Sequence, residues 1–111
     1  MSKFEEKLEK YTAAYKEKVG GDLNEDLLRK VTKGLGPSIY NRDAETVSAE
    51  KSEMERVVTN YLKKKLGLSG DDLLSSVEAV IEKYGKSNRS KYRAIVYYML
   101  CVHHGKEDVY N

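Results

Sequence analysis

The apolar positions of the chain follow helical periods, and in one stretch they are continuous. Nine consecutive apolar residues run from Ala94 to Val102. A helix on a protein surface is apolar only at every third or fourth position, whereas a helix that is apolar on every face is surrounded by other elements. Ser87 or Asn88 can cap the first turn of this helix, and Gly105 can end it in the left-handed conformation. We therefore predict a central helix over residues 88–104.

Two amphipathic helices are predicted at the start of the chain. In the first, apolar residues recur at spacings of three and four positions, which is typical of one buried helix face; they are Phe4, Leu8, Tyr11 and Tyr15. Gly20 and Gly21 end this helix. The second begins at a cap, Asn24, and stops near Gly34, because a following proline disfavours helical geometry at Gly36.

Two more helices are predicted before the central one. Ser52 and Glu55 fit a capping box for the third helix, which ends at Gly67. Ser69 and Asp72 fit the same roles for the fourth. With no alternating strand pattern, the fold class is all-α: a compact bundle of about five helices with the apolar C-terminal helix at its centre. We expect one helical domain over residues 1–111.

The composition of the chain indicates the cellular environment in which the protein is expected. With 40% apolar and 34% charged residues in 111 positions, the sequence is typical of a globular protein. No apolar run approaches the roughly 20 residues that cross a bilayer, and the charged N-terminus has no apolar signal segment. The single Cys101 cannot form a disulfide within the chain, and it lies in the most apolar stretch. We therefore expect a reduced thiol. We expect a cytoplasmic protein with no membrane partner.

A cluster of basic residues before the central helix is the first candidate site. The net charge of +2 is too small to imply a polyanionic partner, but four basic residues meet no carboxylate over residues 86–93. A helix N-terminus offers unpaired N–H groups and a partial positive charge to a phosphate, a carboxylate or an acidic protein face. The simpler alternative is that these side chains pair with Glu45, Glu78 or Glu82, or only keep the surface solvated. The candidate residues are Lys86, Ser87, Asn88, Arg89, Lys91 and Arg93.

Residues 86–93 also have the residue types of a DNA-recognition helix. Two features oppose this interpretation. The helix becomes apolar on every face one turn later, and the whole chain is barely basic. Nucleic acid binding therefore stays an alternative.

The connection over residues 35–51 has no clean period and provides the second candidate site. Its two glycines would allow a ligand to approach the backbone closely. The favoured interpretation is structural, with Leu35, Ile39, Tyr40 and Val47 holding the connection to the core and a helical turn at residues 38–41. The candidate loop residues are Gly34, Gly36, Pro37, Ser38, Tyr40 and Asn41.

No combination of residues indicates catalysis or metal binding. Cys101 and His104, three positions apart, could meet on a helix, but two ligands do not make a structural zinc site. His103 points elsewhere, and no carboxylate before Glu107 could orient an imidazole. We therefore expect no catalytic residues, no metal and no cofactor. The nine tyrosines include the adjacent pair at positions 97 and 98, of which at least one is expected at the periphery.

Three stretches of the chain together resemble a known family. They are residues 33–41 (KGLGPSIYN), residues 64–68 (KKLGL), and residues 87–94 (SNRSKYRA) with Tyr97 and Tyr98. In this order they are similar to the bacterial domain of unknown function 2853. The resemblance implies a small, all-helical, bacterial cytosolic protein, and it carries no activity, ligand or site residue with it.

These observations lead to one expected function and one alternative. We expect a non-catalytic cytoplasmic helical domain for macromolecular interaction or self-association, with another protein or a second copy as partner. The alternative is nucleic-acid or anion binding through residues 86–93.

Overall fold

The protein is an all-α bundle, as predicted. The computed structural model describes residues 3–47, 50–70, 72–85 and 91–110, apart from the side chains of three of them, Ser38, Arg42 and Asp43. Within these ranges no helix has the length and apolar character that a membrane crossing requires. The helices are α1 (Lys3–Lys18), α2 (Glu25–Gly34), α3 (Arg42–Glu45), α4 (Lys51–Val57), α5 (Leu73–Tyr84) and α6 (Arg93–His103). A π-helix (Val58–Lys63) continues α4, and 3-10 helices span Gly36–Tyr40 and Glu107–Tyr110.

The first two helices form as their sequences predict. Helix α1 has 16 residues and buries Tyr11 and Tyr15 on one face. Helix α2 begins after Asn24, whose side-chain oxygen accepts a hydrogen bond from the Leu27 N–H at 3.1 Å. That bond satisfies one of the amide groups that a helix leaves unpaired at its start. Helix α2 ends at Gly34, as expected.

The caps predicted for the next two helices are wrong. Helix α4 begins at Lys51 with Glu50 in the cap position, so Ser52 already lies inside the first turn. The cap of α5 is Asp72 itself, and its side chain accepts no capping bond. The backbone of Asp72 has φ −91° and ψ 1°, outside the extended geometry from which a cap side chain reaches the first turn.

The end of α4 widens into the π-helix, which the sequence did not predict. Here the Leu66 N–H donates to the Tyr61 carbonyl at 2.9 Å, five residues back. Gly67, with φ +69°, ends the element as expected. The Leu68 N–H then donates to the Leu62 carbonyl at 2.9 Å, one residue further back than in a Schellman ending. The extra residue in the π-turn accounts for this longer reach.

The central helix begins later than predicted. Its first residue is Arg93, not Asn88, and Tyr92 before it is extended and forms an antiparallel bridge with Thr46. The Val47 N–H donates to the Lys91 carbonyl at 2.7 Å. Because this pairing holds residues 91 and 92 in an extended conformation, the helix cannot start before them.

The end of the central helix agrees with the prediction. Gly105 has φ +65°, and its N–H donates to the Val102 carbonyl at 3.1 Å. The Lys106 N–H donates to the Cys101 carbonyl at 2.9 Å. These two bonds form a Schellman ending, which requires the left-handed conformation that glycine adopts without strain.

Helix α6 lies at the centre of the bundle. All eight residues from Ala94 to Cys101 are buried, and the helix contacts α1, α2, α3 and α5. Val102, in contrast, is 44% exposed, so the buried stretch ends one residue before the apolar run does. The position predicted for this helix is confirmed.

Both central tyrosines are buried, so the expectation that one would lie at the periphery is wrong. Tyr97 stacks on Tyr61 with ring centroids 3.9 Å apart, and Tyr98 meets Tyr15 edge-on at 5.4 Å. The two side chains leave α6 in different directions. Both find partners because the helix has neighbours on every side.

The connection before α4 is largely structural. Ile39 and Val47 are each 2% exposed, as expected for residues that hold it to the core. Tyr40 is 48% exposed, so its predicted anchoring role is wrong. The helical turn predicted at residues 38–41 is present as a 3-10 helix over Gly36–Tyr40, which begins two residues earlier and ends before Asn41.

The centrality of α6 predicts a large cost for truncating its side chains. Ile95 and Leu100 are fully buried, so Ile95→Ala or Leu100→Ala should lower the free energy of unfolding by about 2–5 kcal/mol. Val102→Ala, on the same helix but half exposed, should cost less than about 1 kcal/mol. Urea denaturation of the three variants measures these costs. Equal, small losses in all three would contradict the central position of α6.

Candidate functional site

A buried carboxylate lies where α3 meets α1. Glu45 is 8% exposed, and one of its oxygens accepts hydrogen bonds from Lys7 Nζ at 2.8 Å and from the Tyr11 hydroxyl at 2.6 Å. Lys10 Nζ lies 3.7 Å from the same oxygen. The carboxylate is therefore neutralised within the fold by α1.

The partners of Glu45 determine its ionisation. Burial alone would raise the pKa of the Glu45 carboxyl, but the hydrogen bonds from Lys7 and Tyr11 and the charge of Lys10 outweigh it and hold the pKa below its ordinary value. Burial, together with the neighbouring carboxylate, raises the pKa of Tyr11. At neutral pH Glu45 is thus ionised and Tyr11 remains a hydrogen-bond donor.

Arg93, a candidate anion-binding residue, is engaged inside the protein. Its Nε donates to the Ala44 carbonyl at 2.7 Å, and its two terminal nitrogens donate to the Tyr97 hydroxyl at 3.1 Å and to Glu53 at 2.8 Å. Its carboxylate partner is therefore Glu53, none of the three glutamates considered from the sequence. Burial lowers the pKa of Arg93, but Tyr97 and Glu53 more than compensate, and the net shift is upward.

The other residues of the basic cluster divide into two groups. Lys91 is 5% exposed, and burial lowers the pKa of its ammonium group. Lys86, Ser87, Asn88 and Arg89 lie outside the residues that the structure describes. An anion-binding role for these four residues stays a prediction, although the helix start that motivated it lies five residues further on.

A groove runs along α1, and we call it the α1 groove. Tyr84, at the end of α5, and Tyr92, just before α6, form one wall. Lys10 Nζ lies 4.9 Å from the centroid of the Tyr92 ring, and the Tyr92 N–H donates to the Tyr84 hydroxyl at 3.3 Å. The volume of the groove is about 320 Å³. Its remaining lining residues all belong to α1: Lys10, Ala13, Ala14, Glu17 and Lys18.

The candidate loop contributes one residue to a second cavity, which we call the Tyr110 cavity. Gly34 lines it, whereas Gly36, Pro37, Tyr40 and Asn41 are exposed and do not. The side chain of Ser38 lies outside the described part of the chain. Asn41 instead starts α3, because its carbonyl accepts the N–H groups of Ala44 and Glu45 at 3.0 and 2.8 Å.

The Tyr110 cavity has a volume of about 160 Å³. The Tyr61 and Tyr110 hydroxyls are hydrogen-bonded at 2.8 Å, and Lys65 Nζ lies 5.1 Å from the centroid of the Tyr110 ring. Burial raises the pKa of Tyr110 to about 12 and raises that of Tyr61 as well, so both phenols are protonated at neutral pH. The other lining residues are Val31, Gly34, Leu35, Asn60 and Tyr97. No sequence spacing indicated this set, because its members come from four separate segments.

Cys101 and His104 turn to different partners. Cys101 is fully buried beside Tyr61, and burial raises the pKa of its thiol. His104 Nε2 lies 2.9 Å from the Ser76 hydroxyl on α5. Burial lowers the pKa of His104, as do the neighbouring His103 and Lys106. Among the described residues, no three His, Cys, Asp or Glu side chains form a group that could hold a metal ion.

Comparison with known proteins places the chain in a family. Residues 10–108 match the family described as protein of unknown function (DUF2853). The chain belongs to this family. The match covers nearly the whole chain, as the resemblance of the three stretches suggested, and the family description adds no activity. No curated protein matches the chain.

The lowered pKa of Glu45 predicts a pH-dependent contribution to stability. An ionised group whose pKa is lower in the folded state stabilises the fold above its unfolded pKa, and the gain is lost as pH falls through the folded value. Glu45→Gln should therefore cost about 1–3 kcal/mol at neutral pH and progressively less in acid. Urea denaturation across this range measures the difference, with the exposed Glu9→Gln as control. A constant difference at all pH values would contradict the assignment.

The burial of Cys101 predicts slow chemistry at its thiol. A thiol-specific reagent should label the native protein far more slowly than the protein in concentrated urea, because both access and the thiolate fraction are low in the fold. Ellman-type absorbance measures both rates. Native labelling as fast as in urea would place the thiol at the surface.

Proposed function

We propose that the protein is a non-catalytic binding module whose α1 groove takes an acidic segment of another protein. The observation that carries the proposal is the composition of the groove. Two small side chains, Ala13 and Ala14, form an apolar floor, with the cations Lys10 and Lys18 near it and two tyrosine rings beside it. Protein interfaces favour aromatic anchors next to polar groups at the rim.

The charges of the groove are available to a partner. Lys18 pairs with Glu17 at 3.5 Å, but both side chains are largely exposed. Such an exposed pair contributes about 0–1 kcal/mol, so a partner's carboxylate can replace Glu17 at little cost. Lys10 is 46% exposed while it lies near Glu45, and its ammonium remains open to a second anion.

The sequence between the two tyrosines of the groove is basic. Tyr84 and Tyr92 lie on either side of residues 86–90, which contain Lys86 and Arg89 and no carboxylate. Electrostatic complementarity of this kind increases the association rate and the specificity of a complex more than its final affinity. An acidic partner is thus favoured over a neutral one.

Nucleic acid is the less favoured partner. A recognition helix would need the first turn of α6 to be free, yet Arg93 in that turn is bound to Ala44, Glu53 and Tyr97. The groove also carries little net positive charge, because it includes Glu17, whereas nucleic acid binding relies on a strongly basic surface. An acidic protein segment, with discrete carboxylates on an apolar framework, fits these features better.

The test compares the affinities of an acidic peptide and a DNA duplex by fluorescence anisotropy. A labelled helical peptide of Ala and Glu should bind, and the double variant Lys10→Gln/Lys18→Gln should weaken it by about tenfold at low salt. This loss should shrink as salt is added. The control variant Lys16→Gln/Lys51→Gln makes the same charge change at exposed positions outside the groove.

Two results would contradict the proposal. One is equal weakening by the groove and control variants, which would reflect net charge alone. The other is tighter binding of the duplex than of the peptide in the parent protein. A peptide with Gln in place of Glu should not bind, and the melting temperature of each variant verifies that it is folded.

A further inference from the structure

The Tyr110 cavity lies on a different part of the surface from the α1 groove and has a different character. Its walls are aromatic and aliphatic: the rings of Tyr61, Tyr97 and Tyr110, with Val31 and Leu35. The lining of small-molecule sites is likewise mostly apolar, with a few placed polar groups.

The size of the cavity limits its occupant. A volume of about 160 Å³ is close to the roughly 150 Å³ of an engineered apolar cavity that accepts benzene. One six-membered ring therefore fits, and a macromolecular side chain with its backbone does not. Tyr61 and Tyr97, stacked with their planes 15° apart, both line the cavity and give it an aromatic wall. A flat aromatic ring matches such a wall better than a puckered one.

The charge of the cavity indicates which substituent the ligand ring should carry. Lys65 is the one charged side chain among the described lining residues, and its ammonium lies over the Tyr110 ring, 5.1 Å from the centroid. Within the described part of the chain, no carboxylate lies within ion-pair distance of Lys65, and its ammonium contacts the Tyr110 ring. An anionic group at the mouth would therefore meet an ammonium that no neighbouring carboxylate neutralises.

The backbone supports the same location. Asn60 and Tyr61 reach the cavity from the π-helix Val58–Lys63. Short π-helices are rare and occur frequently at functional sites. Here the wide turn adds one residue between α4 and Lys65. That turn forms one side of the cavity, and the end of α2 forms the other.

We propose that the Tyr110 cavity binds a small planar aromatic carboxylate, with its ring among the tyrosines and its carboxylate at Lys65. Asn60 also lines the cavity, and its amide is a second polar group available to the ligand. The tyrosine hydroxyls of the walls are held by hydrogen bonds within the protein, so the site exists before the ligand arrives. A preformed site loses little conformational freedom on binding.

The test is a titration with benzoate followed by ¹H–¹⁵N correlation spectra of the full chain. The amide signals of Gly34, Asn60, Lys65 and Tyr110 should shift along a common saturable curve. Cyclohexanecarboxylate, which has the same charge and a puckered ring, should bind about tenfold more weakly. Phenol, which keeps the ring and lacks the carboxylate, should also bind about tenfold more weakly.

A pair of neighbouring lysines supplies the matched variants. Lys65→Gln should raise the dissociation constant of benzoate about tenfold, because it removes a charge-assisted contact. Lys64→Gln makes the same charge change at an exposed residue that does not line the cavity, and it should leave the constant unchanged. Both substitutions are at surface lysines, so the fold persists in each.

Several outcomes would overturn the proposal. Shifts that stay linear, or that map to residues outside the cavity, would show that benzoate has no site here. Equal effects of the two lysine variants would mean that only net charge matters. Equal affinity for cyclohexanecarboxylate would mean that the tyrosines of the cavity do not distinguish a planar ring from a puckered one. None of these results bears on the α1 groove, which shares no lining residue with the cavity.

Discussion

The burial of α6 on every side is the constraint on which the rest of the structure depends. This helix carries two tyrosines into the core, and a buried hydroxyl without a partner costs about 1–3 kcal/mol. The Tyr98 hydroxyl accepts the Asn24 N–H at 2.9 Å, which ties α6 to the start of α2. The Tyr97 hydroxyl accepts a bond from Arg93, whose guanidinium also binds Glu53. The hydrogen bond of the Tyr98 hydroxyl thus fixes the start of α2 against α6, and that of the Tyr97 hydroxyl orients the Arg93 side chain.

The same requirement explains why charged residues that resemble a ligand site are engaged in the fold. Glu45 is buried at the junction of α3 with α1 and is stable there only because Lys7 and Tyr11 bind it. Beside this junction, residues 46–47 pair with residues 91–92 and hold the chain extended before α6. Arg93 then lies beside Glu53 instead of facing solvent. The hydrogen bonds that a charged side chain makes, more than its local sequence, show whether it belongs to the fold or is available to a ligand.

What the sequence could predict follows from the range of the interactions. Helix faces, the Asn24 cap and the glycine endings are set by residues three to five positions apart, so they were found. The start of α6 depends on Thr46, far away in the chain, and a local pattern placed it too early. The Tyr110 cavity was not predicted, because Asn60, Lys65 and Tyr110 come together only through packing; of its lining residues, the sequence placed only Gly34 in a candidate site. The burial of both Tyr97 and Tyr98 required knowing that α6 has neighbours on opposite sides.

The preference for tyrosine over phenylalanine, nine residues against one, connects the core to both proposed sites. A tyrosine ring can fill the core while its hydroxyl binds a polar group at the boundary. Tyr84 and Tyr92 in the α1 groove, and Tyr61 and Tyr110 in the cavity, are each joined by such a bond. The walls of both sites are therefore part of the framework that surrounds α6. A ligand that binds only this native arrangement must stabilise the whole bundle by mass action, so occupancy of either site is coupled to the stability of the central helix.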